Sequence, residues 1–157
     1  MKRIHSFRLI KKDDLDIAKD LWKNEKVREY LGGTVDDSII ERTFERMISN
    51  ENGNAYFVVL ENEIKIGIVS IDEYYIEGKK ELSYQFKPEY WGKGIASKTL
   101  TEILKYAKIE MKLNEIYAET QNRNDRSKKL LEKLNFSETG RINRYEEVQS
   151  IYKLVLN

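Results

Sequence analysis

Leu15, Ala18 and Trp22 recur at three- and four-residue intervals with Ile17 and Leu21 beside them, so residues 13–23 predict a helix with one apolar face. Asp13 stands where an N-cap would. A short β-prone run at 5–10 precedes this helix, and Gly32-Gly33 breaks the pattern after it. Ile40, Phe44, Met47 and Ile48 repeat at helical spacing behind Asp36 or Asp37, either of which can cap a second helix. A polar loop at 50–54 then opens onto AYFVVL at 55–60, too short for a helix and rich in aromatic and β-branched residues, hence a buried strand. Within 64–71, Ile64, Ile66 and Ile68 alternate before the pattern slips to Val69 and Ile71, which predicts a bulge there.

After a turn at Glu77-Gly78-Lys79, the segment ELSYQF sets Leu82, Tyr84 and Phe86 on one face and Glu81, Ser83 and Gln85 on the other. Pro88 ends this strand because it has no N–H for the ladder. Residues 95–111 carry the strongest helical stripe, from Ala96 through Leu100, Ile103, Leu104 and Ala107 to Met111. A strand at 115–120 follows, then a helix from Asn124 with Leu130, Leu131 and Leu134 inward, ending at Asn135, a residue that tolerates the left-handed conformation of a helix end. Strands at 136–142 and 151–156 close the chain. The order is strand, two helices, three strands, helix, strand, helix, two strands. It predicts one domain over residues 1–157, of mixed α/β (α+β) class, with a mostly antiparallel sheet of seven strands and about four helices.

Composition narrows the function by exclusion. Lys plus Arg number 28 and Asp plus Glu 27, a formal charge of +1, so no net field singles out nucleic acid or membrane as partner. The absence of Cys removes disulfides, thiolate metal sites and a cysteine acyl intermediate. The first residues, MKRIHSFRLIKKDD, lack the apolar stretch of a signal peptide, and no run of about 18 apolar residues exists to span a bilayer, so the expected location is the cytoplasm. His5, the lone histidine, lacks the companions of a metal site or triad.

The chemistry concentrates at Pro88-Glu89-Tyr90-Trp91-Gly92-Lys93-Gly94-Ile95-Ala96, a turn between a predicted strand and a long helix. The first amides of a helix have no intrahelical acceptors, and glycines at 92 and 94 let the backbone curl so that these N–H groups meet in one concavity, a site for phosphate oxygens. A tight turn alone would also use such glycines. Neither the Walker P-loop nor the Rossmann fingerprint is complete, since Ser97 stands where the third Rossmann Gly or Ala belongs.

The segment resembles the pyrophosphate-binding loop of the GNAT acetyltransferases, Q/R-x-x-G-x-G/A at a helix start. Gly94 and Ala96 match, and Trp91 replaces the leading Gln or Arg. The form EYWGKGIA is similar to the branch that holds the N-terminal acetyltransferases of ribosomal proteins and several small-amine acetyltransferases. A second match is Asn124-Asp125-Arg126-Ser127 followed by a leucine-rich helix ending Lys133-Leu134-Asn135-Phe136, where the family has N-x-x-S/A and K-x-G-F. The resemblance covers essentially the whole chain. It implies a GNAT fold and transfer of acetyl from acetyl-CoA to a primary amine, a protein N-terminus or a small amine, by direct attack in a ternary complex. It also implies a cofactor site at Phe86, Lys87, Trp91, Gly92, Lys93, Gly94, Ile95, Ala96, Ser97, Asn124 and Ser127, with no metal, in a monomer or homodimer. Lys128-Lys129 is a solvated helix face or an attractor for the 3′-phosphate.

Acetyl transfer needs an unprotonated amine, and an alkyl ammonium titrates near 10.4, so a proton must leave before attack. By resemblance the base is Glu119, which has the family's spacing before Asn124; Glu81, which begins the strand expected beside the acetyl group, is the second candidate. Glu119 is equally readable as a solvated or ion-paired strand-end carboxylate, and Glu81 as an edge-strand charge. The resemblance also implies that strand 82–86 splays from 115–120, leaving main-chain groups near Phe86 and Lys87 free for the pantetheine amides and the thioester oxygen. Leu131 stands where the family carries a tyrosine acid, so no acid is assigned, with Tyr145 and Tyr152 in reach from the C-terminal region. Tyr74, Tyr75 and Trp91 either shape a pocket or pack. Residues 30–34 and 74–80 are expected pocket walls, and Asp72, Glu73 and Glu77 favour a cationic acceptor. A non-catalytic acyl-CoA-binding sensory module is the alternative.

Overall fold

The computed structural model describes residues 4–50 and 52–157; positions 1–3, part of the segment read for a leader, and position 51, within the expected 50–54 loop, lie outside the described residues. The elements are strands β1 (His5–Leu9), β2 (Ala55–Glu61), β3 (Ile64–Glu73), β4 (Lys80–Phe86), β5 (Glu115–Gln121), β6 (Ser137–Arg144) and β7 (Glu147–Val155), with helices α1 (Leu15–Trp22), α2 (Glu25–Arg28) and α3 (Asp37–Ser49) between β1 and β2, α4 (Ile95–Ile109) between β4 and β5, and α5 (Asp125–Lys133) between β5 and β6. The seven strands form one sheet in the order β1-β2-β3-β4-β5-β7-β6. All neighbours are antiparallel except β4 and β5. The mixed, mostly antiparallel sheet is as expected, with a fifth helix added. α2 is one turn, too short for periodicity to reveal, and is nucleated by Asn24, whose side chain accepts from the Val27 N–H at 3.1 Å.

Each face of the sheet has its own core. On one, Leu100, Ile103, Leu104 and Ala107 of α4 and Leu131 of α5 pack on Phe57, Val69, Ile71, Leu82, Phe86 and Ile116. On the other, Ile17, Leu21, Ile40, Phe44 and Met47 of α1 and α3 pack on Val58 and Ile68. Burying each of the larger side chains among these stabilises the fold by roughly 1.5–3 kcal/mol. β2 is covered on both faces, which is why Ala55 through Leu60 reads as an unbroken apolar run. The expected bulge at Val69–Ile71 lies elsewhere. The register passes from Val59↔Gly67 to Leu60↔Lys65, so Ile66 is the extra residue. Ile68 and Val69 are both buried because they point into different cores.

Beside the bulge, β3 lies close to the end of β4 at Gly67. A Cβ on Gly67 would stand 2.7 Å from Phe86 Cδ1 and 2.8 Å from the Gln85 carbonyl oxygen. Gly67→Ala is therefore expected to cost about 1–3 kcal/mol, read as a lower urea midpoint, because the backbone oxygen cannot yield as a side chain can.

Asn124 caps α5 by accepting from the Ser127 N–H at 3.2 Å. At the other end Asn135 adopts φ 70°, with Asn135 N–H to Glu132 O and Phe136 N–H to Leu131 O both at 3.0 Å. This is a Schellman closure with Leu131 and Phe136 buried together, so the expected stop at Asn135 is observed with the helix proper ending at Lys133. Asp13, the expected cap of α1, does not cap it. It lies in a 3-10 turn, Lys12–Asp14, and the buried carboxylate is that of Asp14. Asp14 accepts from Arg8 Nη1 and Nη2 at 2.8 and 2.9 Å and from the Lys11 N–H at 2.8 Å, with Lys65 Nζ at 3.0 Å. Burial alone pushes this carboxyl up, but Arg8, the Lys11 amide and Lys65 outweigh it and hold it down at about 2.

Candidate active site

β4 and β5 are paired at a single register position, Glu81↔Tyr117, and diverge beyond it. A cavity of about 400 Å³ opens between them, lined by Tyr84, Gln85 and Phe86 of β4, by Ala118, Glu119 and Thr120 of β5, and by the glycine turn and the start of α5. Its β4 wall is an unpaired strand edge. The Lys87 N–H donates to Ile66 O at 2.8 Å, so Gly67↔Phe86 is a non-hydrogen-bonded pair, and the alternation of an antiparallel ladder turns the main-chain groups of Tyr84 and Phe86 toward the cleft. Trp91 Nε1–H takes the Phe86 carbonyl at 2.9 Å. The expected free main chain is thus at Tyr84 and the Phe86 N–H. Lys87 is not free: its amide closes the ladder against the bulge, and its ammonium lies 3.4 Å from Asp20.

Gly92 and Gly94 hold φ of 73° and 77°, which a side chain rarely adopts. Gly94 is the N-cap of α4 and supplies no side-chain acceptor, so the amides of Ile95, Ala96 and Ser97 are left without one where those residues line the cavity. Trp91, Gly92, Gly94, Ile95, Ala96, Ser97, Asn124 and Ser127 all line this one cavity. Lys93 does not line it, and its ammonium sits 5.7 Å over the Tyr90 ring. Arg126 of α5, which sequence reasoning passed over, brings its guanidinium 3.7 Å from the Trp91 ring centroid. Tyr84, readable only as a core position, reaches across the cleft to Ser127 Oγ at 2.8 Å, and burial pushes its phenol up to about 12. Leu131 and Tyr84 face the same cavity. Of the two C-terminal tyrosines, Tyr152 is in the core and Tyr145 is on an exposed hairpin tip.

Glu119 reaches the cavity from β5, its side chain only 5% exposed. Tyr74 Oη donates to Glu119 Oε1 at 2.8 Å, and Arg144 Nε stands 3.5 Å from Oε2. Tyr74 in turn stacks on Tyr117 at 5.4 Å. Glu81 sits on the same sheet face, across the ladder from Asp72. Burial first, then the charges of Glu119 and Asp72, push Glu81 up to about 8, with Arg144 opposing. Glu81 does not line the cavity. A carboxyl raised in the folded state binds a proton that the unfolded chain has released, so its contribution is fully present below about pH 4.3 and is lost as pH rises toward about 8. Glu81→Gln is expected to flatten that fall, compared by denaturant unfolding at pH 5 and pH 8.5.

His5 is bonded to Glu61 at 3.1 Å, and among the described residues no group of three or more His, Asp or Glu side chains could hold a metal ion. No described helix is long and apolar enough to cross a membrane.

The family described as acetyltransferase (GNAT) domain matches residues 6–137. The uncharacterized N-acetyltransferase p20 of Bacillus licheniformis is 25% identical over 92% of this chain and 85% of its own. Spermidine N(1)-acetyltransferase of Escherichia coli K12 is 24% identical over 90% of this chain and 78% of its own. Among solved structures, spermidine N-acetyltransferase of Vibrio cholerae in complex with CoA and spermine has a TM-score of 0.83 at 23% identity, covering 97% of this chain and 95% of that one. Ribosomal-protein-S5-alanine acetyltransferase of Vibrio fischeri has a TM-score of 0.75 at 20% identity, covering 98% and 93%. These structural likenesses are likenesses of fold, and they do not single out the ribosomal-protein branch expected from Trp91.

Proposed function

Because the chain belongs to the GNAT acetyltransferase family, we propose that it transfers the acetyl group of acetyl-CoA to a primary amine by direct attack within a ternary complex. The observation that carries this reading is the single cavity that joins the unsatisfied amides of the glycine turn to the carboxylate of Glu119. Acetyl-CoA fits that cavity by its chemistry. The amides of Ile95, Ala96 and Ser97 suit phosphate oxygens, with the Arg126 guanidinium beside them as counter-charge. The open main-chain edge at Tyr84 and Phe86 suits the amides of the pantetheine arm, as an added strand would. Asn124 and Ser127 line the opposite wall.

Glu119 then accepts the ammonium proton, which frees the nitrogen lone pair for attack on the thioester carbonyl. As the amide forms, the sulfur, with a thiol pKa of about 8.5, departs as a thiolate without a dedicated acid, and the second proton of the attacking nitrogen passes to that thiolate or to water. The spermidine acetyltransferases among the relatives support a small cationic amine as acceptor. A protein N-terminus is the ribosomal-protein branch's counterpart.

Thiol release from acetyl-CoA, followed with spermidine, butylamine and a peptide with a free α-amine, tests the proposal alongside calorimetric binding of acetyl-CoA. Turnover on at least one amine is expected. Binding without turnover on any of them would replace the reading by a non-catalytic acyl-CoA-binding module.

A further inference from the structure

Arg144 ends β6 at a two-residue hairpin turn, Tyr145-Glu146, in which both residues have positive φ, 55° and 61°. Its guanidinium carbon lies 4.4 Å from the Tyr75 ring centroid and 4.9 Å from that of Tyr145. Nη2 donates to Tyr145 Oη at 2.9 Å, and Nε faces Glu119 Oε2 at 3.5 Å. Aromatic faces on a cation, closed by a buried carboxylate, make the environment in which proteins hold organic ammonium groups. Here the cation belongs to the chain itself, beside the carboxylate to which an acceptor amine must come.

Resting on the proposed amine acetylation, we infer that Arg144 occupies the place of the acceptor's cation beside Glu119, and that a protonated amine binds by displacing it. The exchange keeps Glu119 paired throughout, whereas leaving a buried carboxylate without a cation would be strongly unfavourable. The displaced arginine has somewhere to go, since Tyr75 is 50% exposed and Tyr145 75% exposed, and the hairpin tip faces water. Neutral and anionic acceptors cannot make this exchange, so Arg144 selects a cationic amine on an alkyl stem. The product side follows from the same balance. Once its proton has passed to Glu119 and the nitrogen is acylated, the acceptor is an uncharged amide that no longer competes with a guanidinium; when Glu119 has released that proton to solvent, Arg144 pairs with the carboxylate again and favours the amide's release.

Arg144→Ala tests this with butylamine as the probe. The KM for butylamine is expected to fall about three- to tenfold. Methylguanidinium, which refills the emptied place, is expected to inhibit this variant competitively against the amine while barely affecting the unaltered protein. Arg144→Lys keeps the charge without the planar stack and is expected to fall between the two. An unchanged or raised KM, with methylguanidinium acting alike on both proteins, overturns the inference and leaves Arg144 a strut for Glu119. Unaltered acetyl-CoA affinity identifies variants that keep their fold. Calorimetric binding of butylamine to the CoA-saturated protein separates the two readings. Tightening in Arg144→Ala without turnover in either protein would keep the displacement and sink the acetylation; turnover with unchanged butylamine affinity and KM would do the reverse.

Discussion

Glu119→Gln is expected to lower kcat on the preferred amine by about 10²–10⁴-fold while acetyl-CoA still binds. Glutamine keeps the volume of the side chain and an oxygen for the Tyr74 hydroxyl, which in the unaltered protein is bonded to Glu119 Oε1 at 2.8 Å. What it loses is the capacity to take a proton. The loss should shrink as pH approaches the amine's own pKa, because more of the acceptor then arrives unprotonated and needs no base. Steady-state kinetics from pH 7 to pH 10 read this directly. Glu81→Gln is the control for the assignment: a full loss there, with Glu119→Gln nearly active, would move the base to β4. The geometry argues against that outcome, since Glu119 lines the cavity and Glu81 does not.

The second large effect concerns stability. Asp14→Ala is expected to cost about 2–4 kcal/mol, since it removes the buried carboxylate that joins Arg8 to Lys65, while Lys65 keeps Asp16. For a chain of this size that corresponds to a fall in Tm of roughly 10 °C. Asp14 ties β1, β3 and the start of α1 together, so the cost is one of tertiary attachment rather than of helix propensity. The linkage has a definite sign. A carboxyl held at about 2 when folded, against about 3.9 when unfolded, contributes stability that is complete above the unfolded value and is lost as pH falls through about 2. The gap between the unaltered protein and Asp14→Ala in denaturant midpoint should therefore hold from pH 7 to about pH 4 and narrow below it. A constant gap down to pH 2 would mean that packing, not charge, is what the alanine removes.

Much of this architecture was legible one segment at a time. The stripe from Ile95 through Leu100, Ile103 and Leu104 to Ala107 is a local periodicity, and the helix it predicts is α4. Asn135 at φ 70° and the two positive-φ glycines of the 88–96 turn express residue-level backbone preferences. Asn124 caps the helix it precedes, over three residues. The misreadings have local causes too. α2 is shorter than a helical repeat, and β7 begins at Glu147 through polar residues that carry no alternating signal. Its Gln149 and Ser150 are buried by pairing with Gln121 and Thr120, not by their own hydrophobicity.

The candidate site divides along the same line. Sequence by itself determined the longer, periodic elements, the conformation of the glycine turn and the cap that starts α5, because those energies act between residues one to four apart. Tertiary structure alone decided that the slip at Ile66 would occupy the Lys87 amide, that Tyr74 would hold Glu119 from 45 residues away, that Arg126 would lie on Trp91, and that Arg144 would stand beside Glu119. Strand register, burial and the parting of β4 from β5 set those contacts. They are properties of the packed sheet, and no short stretch of the chain contains them.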